Sequence, residues 1–438
     1  MIVSSAFAGK TYAVLGLARS GLATVETLVA SGARVVAWDS REEARALVAG
    51  QAELGDPMEI DLAGFDGIVV SPGVPLNRHP IAMRAKLAGV PIIGDIELFA
   101  LARPTLPPHK VVGITGTNGK STTTALTHHI LKQAGVPTTM GGNIGLPILE
   151  QDPLPEGGVY VLELSSYQID LTFSLDCDVA VLLNITPDHL DRYDGFEGYV
   201  ASKARLFAMQ SACQTAVITS EDAPSRSIFA AVRHSREGVG VIAVTSSDIE
   251  TTDQLGWPSL QGPHNAQNAA VAIAVAKALG IDEATIGNAL ASYASLPHRM
   301  QAVRTLNGVL YVNDSKATNA ASTAPALAAW PPVNGKPRIH WILGGVAKSD
   351  NLDECAPHFG NVAHAYTIGE AGHMFADLLR PHMAVDDSEM LSAAVRRAAR
   401  IAQPGDVVLL SPACASFDQF RDFEARGDAF AAAVAALE

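Results

Sequence analysis

Short apolar runs rich in Val, Ile and Leu alternate with alanine-rich stretches of helical spacing along the whole chain. Such runs, bounded by Gly, Pro, Asn or Asp, predict strands, and the stretches between them predict helices. The rhythm is that of βαβ units with parallel sheets. Tyr12–Leu15 is the first predicted strand; the turn Gly16-Leu-Ala-Arg-Ser-Gly21 and a helical pattern to Gly32 follow it. Arg34–Trp38, ending in Asp39, and Ile68–Val70, ending in Ser71-Pro-Gly73, come next. Val111–Ile114, Val159–Leu164 and Val179–Asn184 make a second group. Val309–Asn313, Ile339–Leu343, Tyr366–Ile368 and Val407–Leu410 make a third. Two seams separate the groups. Pro104, Pro107 and Pro108 interrupt regular structure between Ala102 and Lys110, and Ser295-Leu-Pro-His298 follows the helical patterns Asn268–Leu279 and Thr285–Tyr293. No fixed-period repeat relates the groups.

Length agrees with that division: 438 residues at about 150 per domain suggest about three domains. With 48% hydrophobic and 17% charged residues the chain has the composition of large folded cores. Its formal charge of −14 argues against a surface that wraps nucleic acid. The longest apolar run, near Ala269–Ala276, stops at Lys277, short of the roughly 20 residues that span a bilayer. MIVSSAFAGK lacks the basic region of a signal peptide, so a cytoplasmic location is expected. Cys177, Cys213, Cys355 and Cys414 lie far apart with no CxxC, which argues against a zinc ribbon or a disulfide scaffold.

The strongest chemical signal is Gly113-Ile-Thr-Gly-Thr-Asn-Gly-Lys120-Ser121-Thr122, between a predicted strand and a helical stretch. Such a loop curls so that its N–H groups point at phosphate oxygens, with the helix N-terminus adding its positive end. Lys120 is placed to reach the β- and γ-phosphates, and the Ser121 hydroxyl to ligate Mg²⁺. Five residues, not the four of the strict P-loop, separate Gly113 from Gly119. Glu163 and the segment Asn184-Ile-Thr-Pro-Asp-His189 each close a strand, where ligands of α/β sheets bind. Glu163 is either a metal ligand or a solvated acid, and His189 either a ligand or a loop histidine. Lys203 lies on a helical stretch, Tyr199–Met209, and periodicity alone makes it an ordinary surface lysine. Yet the chain has 10 Lys against 21 Arg, and Lys120, Lys203, Lys316 and Lys348 all fall in motifs. A lysine in an arginine-rich chain suggests chemistry that arginine cannot perform.

GTNGKST, LELSSYQ (162–168), NITPDHLDRY (184–193), GPHNAQN (262–268), LPHRM (296–300), NDSKATN (313–319) and LSPACASFDQF (410–420) occur in one order. Together they resemble the Mur ligases, ATP-dependent amide ligases of peptidoglycan precursor synthesis. GDIELF (94–99), GGNIGLP (141–147) and SPACASFDQF narrow the resemblance to the D-glutamate-adding branch.

The resemblance implies an α/β fold of three mainly parallel sheets: a Rossmann-like UDP-sugar domain (1–95), a central P-loop ATPase-like domain (96–296) and a Rossmann-like amino-acid domain (297–438). It implies a monomer acting on UDP-N-acetylmuramoyl-L-alanine, D-glutamate and ATP, with two Mg²⁺ ions. Lys120, Glu163, His189 and Lys203 become catalytic, and Ser121, Glu163, His189 and Lys203, the last as a carbamate, become metal ligands. Gly116, Thr117, Asn118, Gly119, Lys120, Ser121, Thr122, Asn268, Arg299 and Asp314 are assigned to ATP. Arg19, Ser20, Asp39, Ser71, Gly73, Asn143, Gln168 and His189 are assigned to the UDP-sugar. Lys316, Thr318, Lys348, Ser416 and Phe423 are assigned to D-glutamate. Val346 and Ala347 stand where a polar residue is expected beside Lys348.

Rival readings explain less. An NAD-dependent oxidoreductase would use Gly16…Gly21 and Asp39, but Ala18 replaces the middle glycine that lets pyrophosphate approach. A plain P-loop kinase or ATPase leaves NDSKATN and SPACASFDQF without a role. A ligase for another amino acid, or a folylpolyglutamate-type ligase, does not account for SPACASFDQF.

Overall fold

The computed structural model describes residues 1–250 and 252–438. Three sheets form, each with helices on its faces. The first contains β1 (Thr11–Leu15), β2 (Arg34–Trp38), β3 (Glu53–Leu54), β4 (Gly67–Val70) and β5 (Ile92–Ile93), in the order β3-β2-β1-β4-β5. The second contains β6 (His109–Thr115), β7 (Thr138–Gly142), β8 (Gly158–Glu163), β9 (Val179–Leu182), β10 (Thr215–Thr219) and β11 (Val241–Val244), in the order β11-β10-β9-β6-β8-β7. Every pairing in these two sheets is parallel.

The third sheet contains β12 (Gln301–Leu306), β13 (Val309–Asn313), β14 (Ile339–Gly344), β15 (Val362–Ile368), β16 (Ala384–Glu389) and β17 (Val407–Leu410). Its order is β12-β13-β17-β14-β15-β16. Only β12 runs antiparallel, as an edge hairpin with β13. The mainly parallel α/β architecture expected from the apolar rhythm is therefore present in all three sheets.

By compactness the chain divides into two units. One holds Met1–Thr245 and Ala270–Ile286, and with them the first two sheets; the other holds Ser246–Ala269 and Gly287–Glu438, with the third. The first two sheets share one apolar cluster, which runs from Tyr12 and Val14 through Phe99 to Tyr160 and Leu162. Tyr160 meets Phe99 edge-on at 5.0 Å. The third sheet separates two clusters, as strand alternation requires: Trp341 and Leu343 pack on one face and Ile342 on the other. The helix Leu391–Ile401 covers the second face with Leu391, Ala394, Val395 and Ala398, the i, i+3, i+4, i+7 stripe of an amphipathic helix.

Parallel order matters for the site because it gathers carboxyl ends. β8, β6 and β9 are neighbours, with Ile114 opposite both Glu163 and Val181. In the third sheet β13, β17 and β14 are neighbours.

Candidate active site

The glycine loop lies between β6 and the helix Lys120–Gln133. Gly116 has φ +154, and a Cβ there would sit 2.9 Å from Leu183 Cβ, so only glycine fits against the end of β9. Asn184 anchors the loop from the same strand end. Its Nδ2 donates to the Asn118 carbonyl (3.1 Å), its Oδ1 accepts from Asn118 N (2.8 Å), and its carbonyl accepts from Thr117 N (2.8 Å). Lys120 Nζ donates to the carbonyls of Gly116 (2.9 Å) and Thr117 (2.8 Å). Ser121 is buried in the first helical turn.

Glu163 ends β8 beside this loop and is buried. Asn143 Nδ2 donates to its Oε1 at 3.0 Å, while Oε2 is buried without a partner. A buried carboxylate oxygen with no donor is costly unless a ligand meets it. Its carboxylate and the Ser121 hydroxyl are hard oxygen donors of the kind Mg²⁺ takes. Among the described residues no three His, Cys, Asp or Glu side chains converge on one point.

Lys203 departs most from its periodicity reading. The helix Gly195–Ala208 turns it inward, and it is 1% exposed. Its Nζ donates to the Gly116 carbonyl at 2.9 Å and lies 4.6 Å from the centre of the Tyr199 ring, one turn earlier. Burial, then the charge of Lys120, pushes its pKa well below the usual lysine value. His189 is half-exposed and has φ +52; its Nε2 is 3.5 Å from Asp188 Oδ2, and its ring centre lies 5.0 Å from that of Tyr167.

The first sheet presents Leu15, Trp38 and Val70 at adjoining carboxyl ends. Asp39 accepts from Leu17 N (2.8 Å) and Arg41 N (3.0 Å) and pairs with the Arg41 side chain. Burial raises the Asp39 pKa, but these donors outweigh it and hold the carboxyl below its usual value. Ser71 Oγ donates to the Gly16 carbonyl at 2.9 Å, which joins the two turns that carry Ser20 and Gly73. Arg19 Nη2 donates to the Gly145 carbonyl at 2.8 Å, in the GGNIGLP segment. Gln168 serves locally: its Oε1 accepts from Ser165 N and Oγ in the capping box of the helix Ser166–Asp170.

In the second unit three strand ends carry the remaining candidates. Asp314, Lys316 and Thr318 follow β13, Lys348 follows β14, and Ser416 follows β17. Gly345 has φ +130, and an added Cβ would lie 2.2 Å from the Ala415 carbonyl oxygen. That close approach lets Val346 and Ala415 pair through two backbone hydrogen bonds of 2.9 Å. Val346 thus contributes backbone, not side-chain polarity, and its pairing draws together the loops of Lys348 and Ser416. Lys348 Nζ donates to Thr318 Oγ1 at 3.4 Å, and Lys316 Nζ lies 3.8 Å from the centre of the Phe423 ring. Asp314 is buried, accepting from Ser411 Oγ (2.8 Å) and Met300 N (3.1 Å); burial pushes its pKa up to about 7. Asn268, on the helix Pro263–Ala278, donates to Asn265 Oδ1 at 3.1 Å. Arg299 lies close enough to Asp314 to oppose its raised pKa.

Tyr199 and Arg426 escaped the sequence reading, and Asn184 was read only as the start of a strand-closing segment. Tyr199 and Lys203 stand at i and i+4, a spacing that brings side chains together. Arg426 is buried and donates to Ser315 Oγ (3.0 Å) and the Ser315 carbonyl (2.9 Å), bracing the Asp314–Thr318 loop. It has no local signal, because its partner is 111 residues away.

Residues 10–94 match the Mur ligase MurD-like N-terminal domain, 114–255 the Mur ligase middle domain, and 298–414 the Mur ligase glutamate ligase domain. A UDP-N-acetylmuramoylalanine–D-glutamate ligase of Novosphingobium aromaticivorans is 66% identical over 100% of this chain and 97% of its own. Enzymes of the same name from Sphingopyxis alaskensis and Zymomonas mobilis are 64% and 57% identical over the full length of both chains. Among solved structures, a UDP-N-acetylmuramoylalanyl-D-glutamyl-2,6-diaminopimelate–D-alanyl-D-alanyl ligase from Acinetobacter baumannii superposes with TM-score 0.60 at 17% identity, over 99% of this chain and 92% of its own. The UDP-N-acetylmuramate–alanine ligase of Thermotoga maritima does so with TM-score 0.57 at 18% identity, over 97% and 99%. The last two likenesses concern the fold.

Proposed function

The chain belongs to the Mur ligases and joins D-glutamate to UDP-N-acetylmuramoyl-L-alanine with ATP in peptidoglycan precursor synthesis, and from that premise we propose how its residues divide the work. Amide formation from a carboxylate and an amine is uphill in water, so the alanine carboxylate first attacks the γ-phosphorus of ATP, the bond to the β-phosphate oxygen breaks, and an acyl phosphate and ADP result. The loop 116–119 and the helix behind it receive the phosphates through N–H groups, and Lys120 follows the transferring phosphoryl group. Glu163 and Ser121 are the residues that would hold Mg²⁺, which would supply charge neutralisation for the phosphates when bound. The uncharged D-glutamate amine then attacks the acyl carbon, the carbon–oxygen bond to phosphate breaks, and the nitrogen gives up one proton to the departing phosphate or to solvent.

Lys203 is proposed to act as its carbamate. A neutral lysine amine adds to CO₂ and releases one proton, which replaces a basic amine with an anionic oxygen donor. The low pKa of the buried amine supports this, because only the uncharged amine can add. His189 is assigned to the metal or to the substrate near its reacting end, beside Asn143 and Gln168.

Arg19, Ser20, Asp39, Ser71 and Gly73 are assigned to the UDP group. Asp39 is already met by its own N–H donors, so its role there is to shape the Leu17 turn as much as to touch ligand. Lys316, Thr318, Lys348, Ser416 and Phe423 are assigned to D-glutamate, a dicarboxylate that calls for cations and hydroxyl donors. Asn268, Arg299 and Asp314 are assigned to the nucleotide. No helix among the described residues is long and apolar enough to cross a membrane, and we assign the enzyme to the cytoplasm as a monomer.

The observation that best supports this use of the central crevice is the orphaned Glu163 oxygen beside the glycine loop. The deciding assay is phosphate release from ATP by the purified protein. Release is expected only with UDP-N-acetylmuramoyl-L-alanine and D-glutamate both present. Equal use of L-glutamate, or turnover of a nicotinamide cofactor, would overturn the reading.

A further inference from the structure

Two loops from different sheets are clasped together by one arginine. The first is Ser71–Val74, which follows β4 and carries Ser71 and Gly73. The second runs from Asn184 to Arg192 after β9 and carries His189. Arg192 Nη2 donates to the carbonyls of Val74 (2.9 Å) and Pro72 (3.4 Å), and Nη1 to that of Gly73 (3.4 Å). Its guanidinium carbon lies 4.2 Å from the centre of the Tyr167 ring, the ring that also meets His189. Asn77 Nδ2 and Arg78 Nη2 return the contact by donating to the Asp191 carbonyl at 3.0 and 3.3 Å.

The local backbone places Arg192 for this. His189 adopts a left-handed φ of +52, and its carbonyl accepts from Arg192 N at 2.9 Å, so the chain reverses between the two residues. His189 and Arg192 are thereby ends of one turn. The contact between the Pro72–Val74 carbonyls and that turn is therefore a planar fork and a ring face, not a single flexible contact.

We propose that Arg192 is a positioning residue that couples the UDP-sugar loop to the catalytic loop, so that binding of the remote uridine diphosphate group sets His189 for the reaction. Enzymes use binding energy from non-reacting parts of a substrate to organise the reacting centre, and this clasp is a physical route for it. The proposal rests on the assignment of Ser71 and Gly73 to the UDP group.

The test uses the full-length enzyme and the variants Arg192→Ala, Arg192→Lys and Gly73→Ala, with kcat, the KM of each substrate and Tm measured. A Cβ at Gly73 meets nothing within 4 Å, so Gly73→Ala reports ligand approach and not strain. Gly73→Ala is expected to raise KM for the UDP-sugar. Arg192→Ala is expected to raise the same KM and to lower kcat, each about tenfold or more, with KM for ATP within about twofold. Arg192→Lys is expected not to restore either, since lysine has neither the fork nor the stacking face. The Gly73→Ala/Arg192→Ala pair is expected to lose less kcat/KM than the product of the single losses, because both act through one loop. An unchanged KM in Gly73→Ala overturns the site assignment and the proposal with it. A raised KM there, together with normal kcat and KM in Arg192→Ala, full rescue by Arg192→Lys, or multiplicative losses, overturns the coupling alone. If Arg192→Ala does not fold, the Arg192→Lys kinetics and its double variant with Gly73→Ala decide by the same criteria.

Discussion

Asn143 and Glu163 divide the labour of one carboxylate: the Asn143 amide occupies Oε1 at 3.0 Å and leaves Oε2 buried and free for another partner. The amide thereby fixes which oxygen is left without a donor. Glu163→Gln removes the charge and is expected to lower kcat by about 10²–10³, the range for a lost group that stabilises transition-state charge. Asn143→Ala is expected to cost less in kcat and to raise the Mg²⁺ concentration needed for half-maximal rate. Phosphate release titrated with Mg²⁺ distinguishes the two; a Glu163→Gln enzyme with normal kcat would remove Glu163 from the reaction.

The buried amine of Lys203 leads to a chemical prediction. Lys203→Ala is expected to lose most activity, and added bicarbonate should not restore it. Wild-type enzyme in ¹³C-bicarbonate should show a carbamate resonance that Lys203→Ala lacks. Its absence from active wild-type protein would reject the carbamate.

Gly116 is held at φ +154 where no side chain fits, because an added Cβ would lie 2.9 Å from Leu183 Cβ. Gly116→Ala is expected to destabilise the first unit by about 1–3 kcal/mol through backbone strain. It should also raise KM for ATP, since the loop must move to admit the methyl group. Thermal melting measures the first effect, and phosphate release titrated with ATP the second.

Asp314 makes stability depend on pH with a definite sign. Its native pKa of about 7 lies above the unfolded value of 3.8, so the native state holds its proton more tightly. Its contribution is fully present below about pH 3.8 and is lost as pH rises through about 7, on the order of 4 kcal/mol in all. Asp314→Asn should therefore flatten the fall in Tm between pH 4 and 7 relative to wild type. Parallel Tm curves for the two proteins would show that Asp314 does not titrate in this window.

Lys348 and Thr318, 3.4 Å apart, come from different strand ends. Lys348→Ala is expected to raise KM for D-glutamate by about 10- to 100-fold, the value of a charge-assisted hydrogen bond, and to leave KM for ATP unchanged. Equal rises for both substrates would place Lys348 outside the amino-acid pocket.

Features governed by neighbours in the chain were legible from sequence. Strands such as Arg34–Trp38 and Val407–Leu410 are short apolar runs bounded by turn residues, and the fold's parallel sheets followed from their alternation with helices. The glycine loop was legible because its function needs small residues at consecutive positions. Sequence alone also named Glu163 and His189 as strand-end candidates, with their roles left open. Tertiary structure decided what surrounds them. Lys203 reads as a surface residue until the fold buries it against Thr115 and Gly116, 88 and 87 residues away, and that burial, then the charge of Lys120, lowers its pKa. Gln168 caps its own helix, Val346 spends its backbone on Ala415, and Arg192 reaches back to Pro72–Val74. Burial and hydrogen bonding between distant segments have no periodicity to read. They arise only when the sheets bring strand ends together, and those same contacts set the charge and orientation of the reacting groups.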